Sequence, residues 1–250
     1  GPFAVAEVDE SDKSLVAFHP YAAIVTNASA DHYSKEEMNE VFDAFIRDVP
    51  GPVVDGRTCP LPEVEVSMPG QHNRANAALA FQMALALGCD EARARAALLS
   101  FGGVHRRLQR VGASVFDDYA HNPEKLHAMW TTLAEAFPKG LCVVWRPHGY
   151  APLRKMMEAL AAMFNATIRP QDKLLLLPVY DAGGTTDRSV NSDALAARLH
   201  AGLCELVPDL DAAFDWIAAH HAAFGAFATA GARDPDLPAL AQRIARRVDG

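Results

Sequence analysis

Ala113-Ser114-Val115-Phe116-Asp117-Asp118-Tyr119-Ala120-His121-Asn122-Pro123 decides the fold of this 250-residue chain. A short apolar run ends in two carboxylates, a polar loop follows, and Asn-Pro then opens a helix with proline at its first position. The same strand, loop and helix order returns downstream. Apolar runs at 141–145, 173–179 and 226–230 alternate with segments at 123–137, 153–164, 192–200, 210–220 and 237–248, whose apolar residues recur every three or four positions. Strands this uniformly apolar must be covered on both faces, which predicts a parallel sheet with helices on either side. Residues 107–250 are therefore expected to form a Rossmann-like, doubly wound α/β domain.

Upstream the texture changes. Residues 3–8 and 22–26 read as two buried strands, 35–46 as an amphipathic helix and 72–87 as a long Ala-rich helix. Prolines at 50, 52, 60, 62 and 69 exclude a continuous helix or a central strand between those helices. An irregular connection with one edge strand at 63–67 is expected there. Residues 1–106 then make a second, less regular α/β domain. The chain opens Gly1-Pro2 without methionine, directly before an apolar run. That reads as a cut edge, with Gly1-Pro2 a protease scar or a native loop.

With 50% hydrophobic and 22% charged residues the chain can bury a substantial core. Lys plus Arg number 23 against 31 Asp plus Glu, a net charge of −8, which argues against nucleic acid or an anionic membrane as partner. No apolar run reaches the ~20 residues of a membrane span, and no signal peptide is visible. Cys59, Cys89, Cys142 and Cys204 form no CxxC and read as reduced thiols of a cytoplasmic protein.

Four constellations carry chemistry. Glu7 lies in an acidic stretch at the end of the first expected strand, where a carboxylate holds a hard cation such as Mg²⁺ or belongs to a solvated acidic turn. His32 follows the second expected strand, either as a metal ligand or as a loop histidine with no task. Asn73 and Asn76 share one face of the first turn of the Ala-rich helix. Their amides suit an adenine edge, while helix capping explains one asparagine but not both. Asp118 at its strand end can accept both hydroxyls of a ribose while Arg107 pairs with phosphate; a structural salt bridge between the two is the competing reading.

Taken together, the stretches AEVDESDKS (6–14), IVTNASADH (24–32), PGQHNRANAALA (69–80), FGGVHRRLQ (101–109), DDYAHNP (117–123), RPH (146–148) and PVYDAGG (178–184) resemble the Mur ligases. These are the ATP-dependent amide-forming enzymes of peptidoglycan precursor synthesis. The nearest pattern is the branch acting on UDP-N-acetylmuramate and L-alanine, with its muropeptide-recycling relative. The resemblance implies that ATP phosphorylates a substrate carboxylate, that an amino-acid amine attacks the acyl phosphate, and that Mg²⁺ offsets the gathered charge. It implies Glu7 and His32 as metal ligands with a catalytic part, and Asn73, Asn76, Arg107, Asp118 and Tyr119 as the nucleotide contacts. His121, His148 and Arg154 fall near the substrate, a UDP-N-acetylmuramoyl compound with an amino acid.

Departures from the family pattern set the competing expectations. No glycine-rich loop ending Gly-Lys-Thr occurs in these 250 residues. Residues 1–106 are thus expected to be an incomplete central P-loop-type domain, through truncation, proteolysis or natural loss, and the chain on its own is expected to be inactive. The segment 50–69 is short for the family, and Arg154 is what remains of an arginine-rich stretch after the Pro147-His148 pair. The alternatives are a degenerate homologue acting as a nucleotide-binding module, and a family ligase with another substrate.

Overall fold

The computed structural model describes residues 4–8, 14–28, 34–68, 70–181, 183 and 187–250. Contacts divide the chain into two compact units, Gly1–Gly102 and Gly103–Gly250.

In the first unit a 3₁₀ turn at Ser14–Ala17 precedes β1 (Ala23–Val25), α1 (Lys35–Arg47), β2 (Val53–Asp55), α2 (Gln71–Ala86) and α3 (Glu91–Ser100). Helix α1 starts where Ser34 and Glu37 cap one another reciprocally, each side chain accepting the other's backbone N–H at 3.2 Å. Strands β1 and β2 pair in parallel, Ile24 opposite Val54. Gly51 brings the chain into β2 by donating its N–H to Tyr21 O at 2.8 Å, an approach so close that any Cβ would strike that carbonyl. Arg57 fastens β2 to α1 through Asp55 and Asp43, each at 2.7 Å. Beneath this, Val54, Leu79 and Met83 form a small buried cluster.

Two expectations for this unit need correction, and one helix was not expected. Residues 4–8 are in no strand, and Val5 is 98% exposed. An apolar run makes a strand when a neighbour takes its ladder, and the two-stranded sheet described here does not include it. Residues 63–67 carry no strand pairing either. Pro60 and Pro62 remove donors just ahead of them, and the strand of the proline-rich stretch is β2, three residues long, directly after Pro52. Helix α3, which the pattern did not reveal, has no buried residue and so no apolar stripe to betray it; its mark is the Asp90 cap.

The second unit contains β3 (Gln109–Arg110), β4 (Val115–Asp118), α4 (Pro123–Ala136), β5 (Leu141–Trp145), α5 (Tyr150–Thr167), β6 (Lys173–Leu176), α6 (Ser192–Ala196), β7 (Cys204–Leu206), α7 (Leu210–His220), β8 (Ala226–Ala230) and α8 (Leu237–Val248). The sheet order is β3-β4-β8-β5-β6-β7, with β3 antiparallel to β4 and every other pair parallel. From β4 to β7 the chain moves across the sheet in one direction, then returns to insert β8 between β4 and β5. Right-handed crossovers demand that helices change face when the direction reverses. They do so here: Leu126, Trp130, Leu160 and Phe164 of α4 and α5 pack with Phe116, Val143 and Trp145 on one face. Ile217, Leu240 and Ile244 of α7 and α8 pack with Val115, Val144 and Phe227 on the other. The doubly wound α/β expectation therefore holds, and α7 and α8 occupy the expected residues. Short β3 and β7 lie at the sheet edges, where few apolar residues announce them.

The amino-terminal rim is tied by Asp172, which accepts from Leu141 N at 2.8 Å, Trp130 Nε1 at 2.9 Å and the Arg169 guanidinium at 2.9 Å. Burial would raise its pKa, but these donors hold the carboxyl below the ordinary range. The opposite rim carries the candidate site.

Candidate functional site at the carboxyl ends of β4, β8 and β5

Beyond β4 the chain leads to α4, and beyond β8 to α8 on the opposite face, so a crevice opens where these neighbouring strands end. Such reversal points are where open α/β sheets place ligands. The two carboxylates of β4 meet different surroundings, as alternation along a strand requires. Asp117 is fully buried: Arg106 Nε donates to its Oδ2 at 2.9 Å, and Thr229 Oγ1, directly opposite on β8, donates to Oδ1 at 2.6 Å. Asp118 is half-buried. Its Oδ1 accepts from Ala120 N at 2.7 Å and its Oδ2 from Leu108 N at 2.5 Å. Burial raises both pKa values, opposed in Asp117 by Thr229 and Arg106 and in Asp118 by the two amides. Each Asp118 oxygen keeps acceptor capacity beyond its amide bond, enough for two ribose hydroxyls.

The turn before β3 shapes this corner. Arg106 and Leu108 adopt φ of 56° and 47°, left-handed values that cost non-glycine residues about 1–3 kcal/mol each. Arg106 is buried, gives Nη2 to Gly231 O at 2.6 Å, and lies 5.3 Å from the Tyr119 ring centre. Gly231, at φ 150°, must be glycine because a Cβ would run into Leu237 and the Arg146 carbonyl. Arg146 Nη1 reaches Asp234 Oδ2 at 2.6 Å, while its buried Nε has no hydrogen-bond partner among the described residues.

Tyr119, His121 and His148 line the same rim. The His121 ring meets Tyr119 edge-on at 5.7 Å and His148 at 4.9 Å. Burial, then His121 and the Arg233 charge, push His148 down to about 4.

The structure thus brings together Asp118, Tyr119, His121 and His148, with exposed Arg107 beside buried Arg106. Arg154, on α5, is drawn to Asp187 in an exposed ion pair at 2.7 Å. Asn73 and Asn76 sit one turn apart in α2 of the first unit. The N-cap there is Gly70, without a side-chain cap bond, so Asn73 is not the capping residue. Glu7 is exposed on the non-strand segment 4–8, and His32 lies outside the described residues. Among the described residues no three His, Cys, Asp or Glu side chains form a metal-holding group. Sequence reading missed Arg106, Thr229, Arg146 and Asp234. For Arg106 the one signal was its doublet with Arg107 beside the doublet Asp117-Asp118; Thr229, Arg146 and Asp234 carry no such mark.

Residues 106–233 match the Mur ligase, glutamate ligase domain family. The chain is 34% identical over 175 residues to the UDP-N-acetylmuramate–L-alanine ligase of Chelativorans sp. (strain BNC1), covering 68% of this chain and 36% of that protein. It is 30% identical to the ligase of the same name from Halorhodospira halophila, covering 79% of this chain and 52% of that one. The chain thus spans about half the length of such relatives, or less. Its fold matches the crystal structure of the Thermotoga maritima UDP-N-acetylmuramate-alanine ligase with a TM-score of 0.71 at 21% identity, covering 96% of this chain and 62% of that chain. The chain belongs to the Mur ligase family.

Proposed function

We propose that this chain carries the nucleotide-gripping rim of an ATP-dependent amide ligase that joins an amino acid, L-alanine foremost, to a UDP-N-acetylmuramoyl substrate. What supports the reading is the rim itself: a half-buried carboxylate at a reversal point of the sheet, oriented by two backbone amides, in a chain whose relatives bear that ligase name. Residues 1–106 correspond in this reading to the central ATPase-type domain and 107–250 to the C-terminal domain.

Asp118 accepts the ribose hydroxyls, Tyr119 lies near the base, and Arg107 offers its charge to phosphate. Asn73 and Asn76 present amides for the adenine edge. His148, held neutral at physiological pH, and His121 border the substrate side, with Arg154 beyond them. ATP supplies the phosphoryl group that activates the substrate carboxylate. Glu7 and His32 remain the candidate Mg²⁺ ligands; the described donors make no cage on their own, so no step is derived through the metal.

The test is an incubation of the full-length protein with ATP, Mg²⁺, UDP-N-acetylmuramate and L-alanine, read by mass spectrometry of the sugar nucleotide. The expected product is the amide, formed with one ADP per bond. Nucleotide binding without amide formation for any amino acid or peptide offered would establish the non-catalytic module instead. Amide formation on another acceptor would move the protein to a different branch of the family.

A further inference from the structure

Arg106, the buried member of the arginine doublet, has no part in the reading above, yet its side chain joins several parts of the rim. Its guanidinium spans two strands: Nε to Asp117 on β4, and Nη2 to the Gly231 carbonyl just past β8. Its own carbonyl accepts from Tyr119 N at 2.7 Å, and its backbone N–H donates to Gln109 Oε1 at 3.0 Å. The segment so fastened is the left-handed turn through Arg106 and Leu108. A turn with two non-glycine residues at positive φ persists only where its surroundings over-determine it. The next amide along, Leu108 N–H, is the donor that fixes Asp118 Oδ2.

We propose that Arg106 is a positioning residue for the nucleotide site. Clamped by Asp117 and Gly231, it holds the strained turn that delivers the Leu108 amide to Asp118, and so sets the direction in which that carboxylate meets ribose. The ribose half of this statement rests on the function proposed above. The planar guanidinium is essential, because one compact ammonium cannot serve an acceptor on each strand in fixed directions. Asp118 has an internal comparison: its other oxygen is held by Ala120 N–H, two residues away on its own loop and outside the turn through Arg106 and Leu108.

The test compares Arg106→Lys with the unaltered full-length protein by two readouts. In amide NMR over an acid titration, the Leu108 and Ala120 protons should both follow ionisation of Asp118 in the unaltered protein. In Arg106→Lys the Leu108 response should be lost and the Ala120 response kept. In steady-state kinetics, KM for ATP should rise about tenfold with kcat little changed, while KM for 2′,3′-dideoxy-ATP, which has no ribose hydroxyls, should not move. An undiminished Leu108 response would overturn the proposal, as would an equal rise in KM for both nucleotides, the mark of a merely structural role. Asp118→Asn separates the two layers. If it raises KM for ATP no more than KM for the dideoxy analogue, the ribose reading falls, and the Leu108 signal of Arg106→Lys still decides whether Arg106 aims the carboxylate. Should Arg106→Lys not fold, Asp117→Asn keeps an acceptor for Arg106 without the charge, and should shift both readouts the same way by less.

Discussion

The imidazole of His148 meets that of His121 edge to face, 4.9 Å between centroids, at the ends of neighbouring βα units. Burial, the His121 ring and the Arg233 charge lower the His148 pKa from 6.5 to about 4. Between those values the unfolded chain binds a proton that the folded chain refuses. Stability therefore rises with pH across that window and is fully present above it. His148→Gln should remove this dependence. Thermal melts at about pH 7.5 and about pH 4.5 should show the variant gaining on the unaltered protein at the acid value. An equal difference in Tm at both pH values would mean that His148 titrates normally.

At the far rim Asp172 serves a tryptophan, a backbone amide and an arginine at once. Asp172→Ala strands all three, and breaking a buried ion pair costs about 3–5 kcal/mol. Urea denaturation should show a loss of that order without change of slope, and Asp172→Asn, which keeps an acceptor, should lose less. A shift under about 1 kcal/mol would show that water replaces the carboxylate without penalty.

Phosphoryl transfer depends on positioning and charge stabilisation. The 250 residues contain no Gly-Lys-Thr or Gly-Lys-Ser. The isolated chain should accordingly bind nucleotide weakly and release no phosphate from ATP in the presence of the sugar nucleotide and L-alanine. Steady substrate-dependent phosphate release by the purified chain would show that its own residues supply the phosphate cradle.

The second unit was readable because a parallel sheet buries both faces, and runs such as Leu141–Trp145 and Ala226–Ala230 can hardly be anything else. The Asp117 and Asp118 pair was readable too, since alternation separates neighbours whatever the fold. Arg106 was not. A buried charge looks like an exposed one until its partner is known, and its anchor at Gly231 lies 125 residues away in sequence. The first unit misled because an apolar run at 4–8 mimics a strand whose pairing it lacks, while β2 is three residues long among prolines. Helix α3, without a buried face, left only its Asp90 cap to be read.

Asp117 and Asp118, neighbours in sequence, have different surroundings. Asp118 is half-buried, with acceptor capacity beyond its two amide bonds, whereas Asp117 is fully enclosed by Arg106 and Thr229. The decisive measurement is KM for ATP in the full-length protein carrying Asp118→Ala or Asp117→Ala, with a thermal melt of each. Asp118→Ala should forfeit hydrogen bonds to a charged group worth about 1.5–3 kcal/mol, a rise in KM of about ten- to a hundredfold, with a small change in Tm. Asp117→Ala should leave Arg106 unpaired and cost about 3–5 kcal/mol of stability, with a smaller effect on KM in the protein that remains folded. A larger rise in KM for Asp117→Ala, or no rise for either, would contradict the placement of the nucleotide at this strand end.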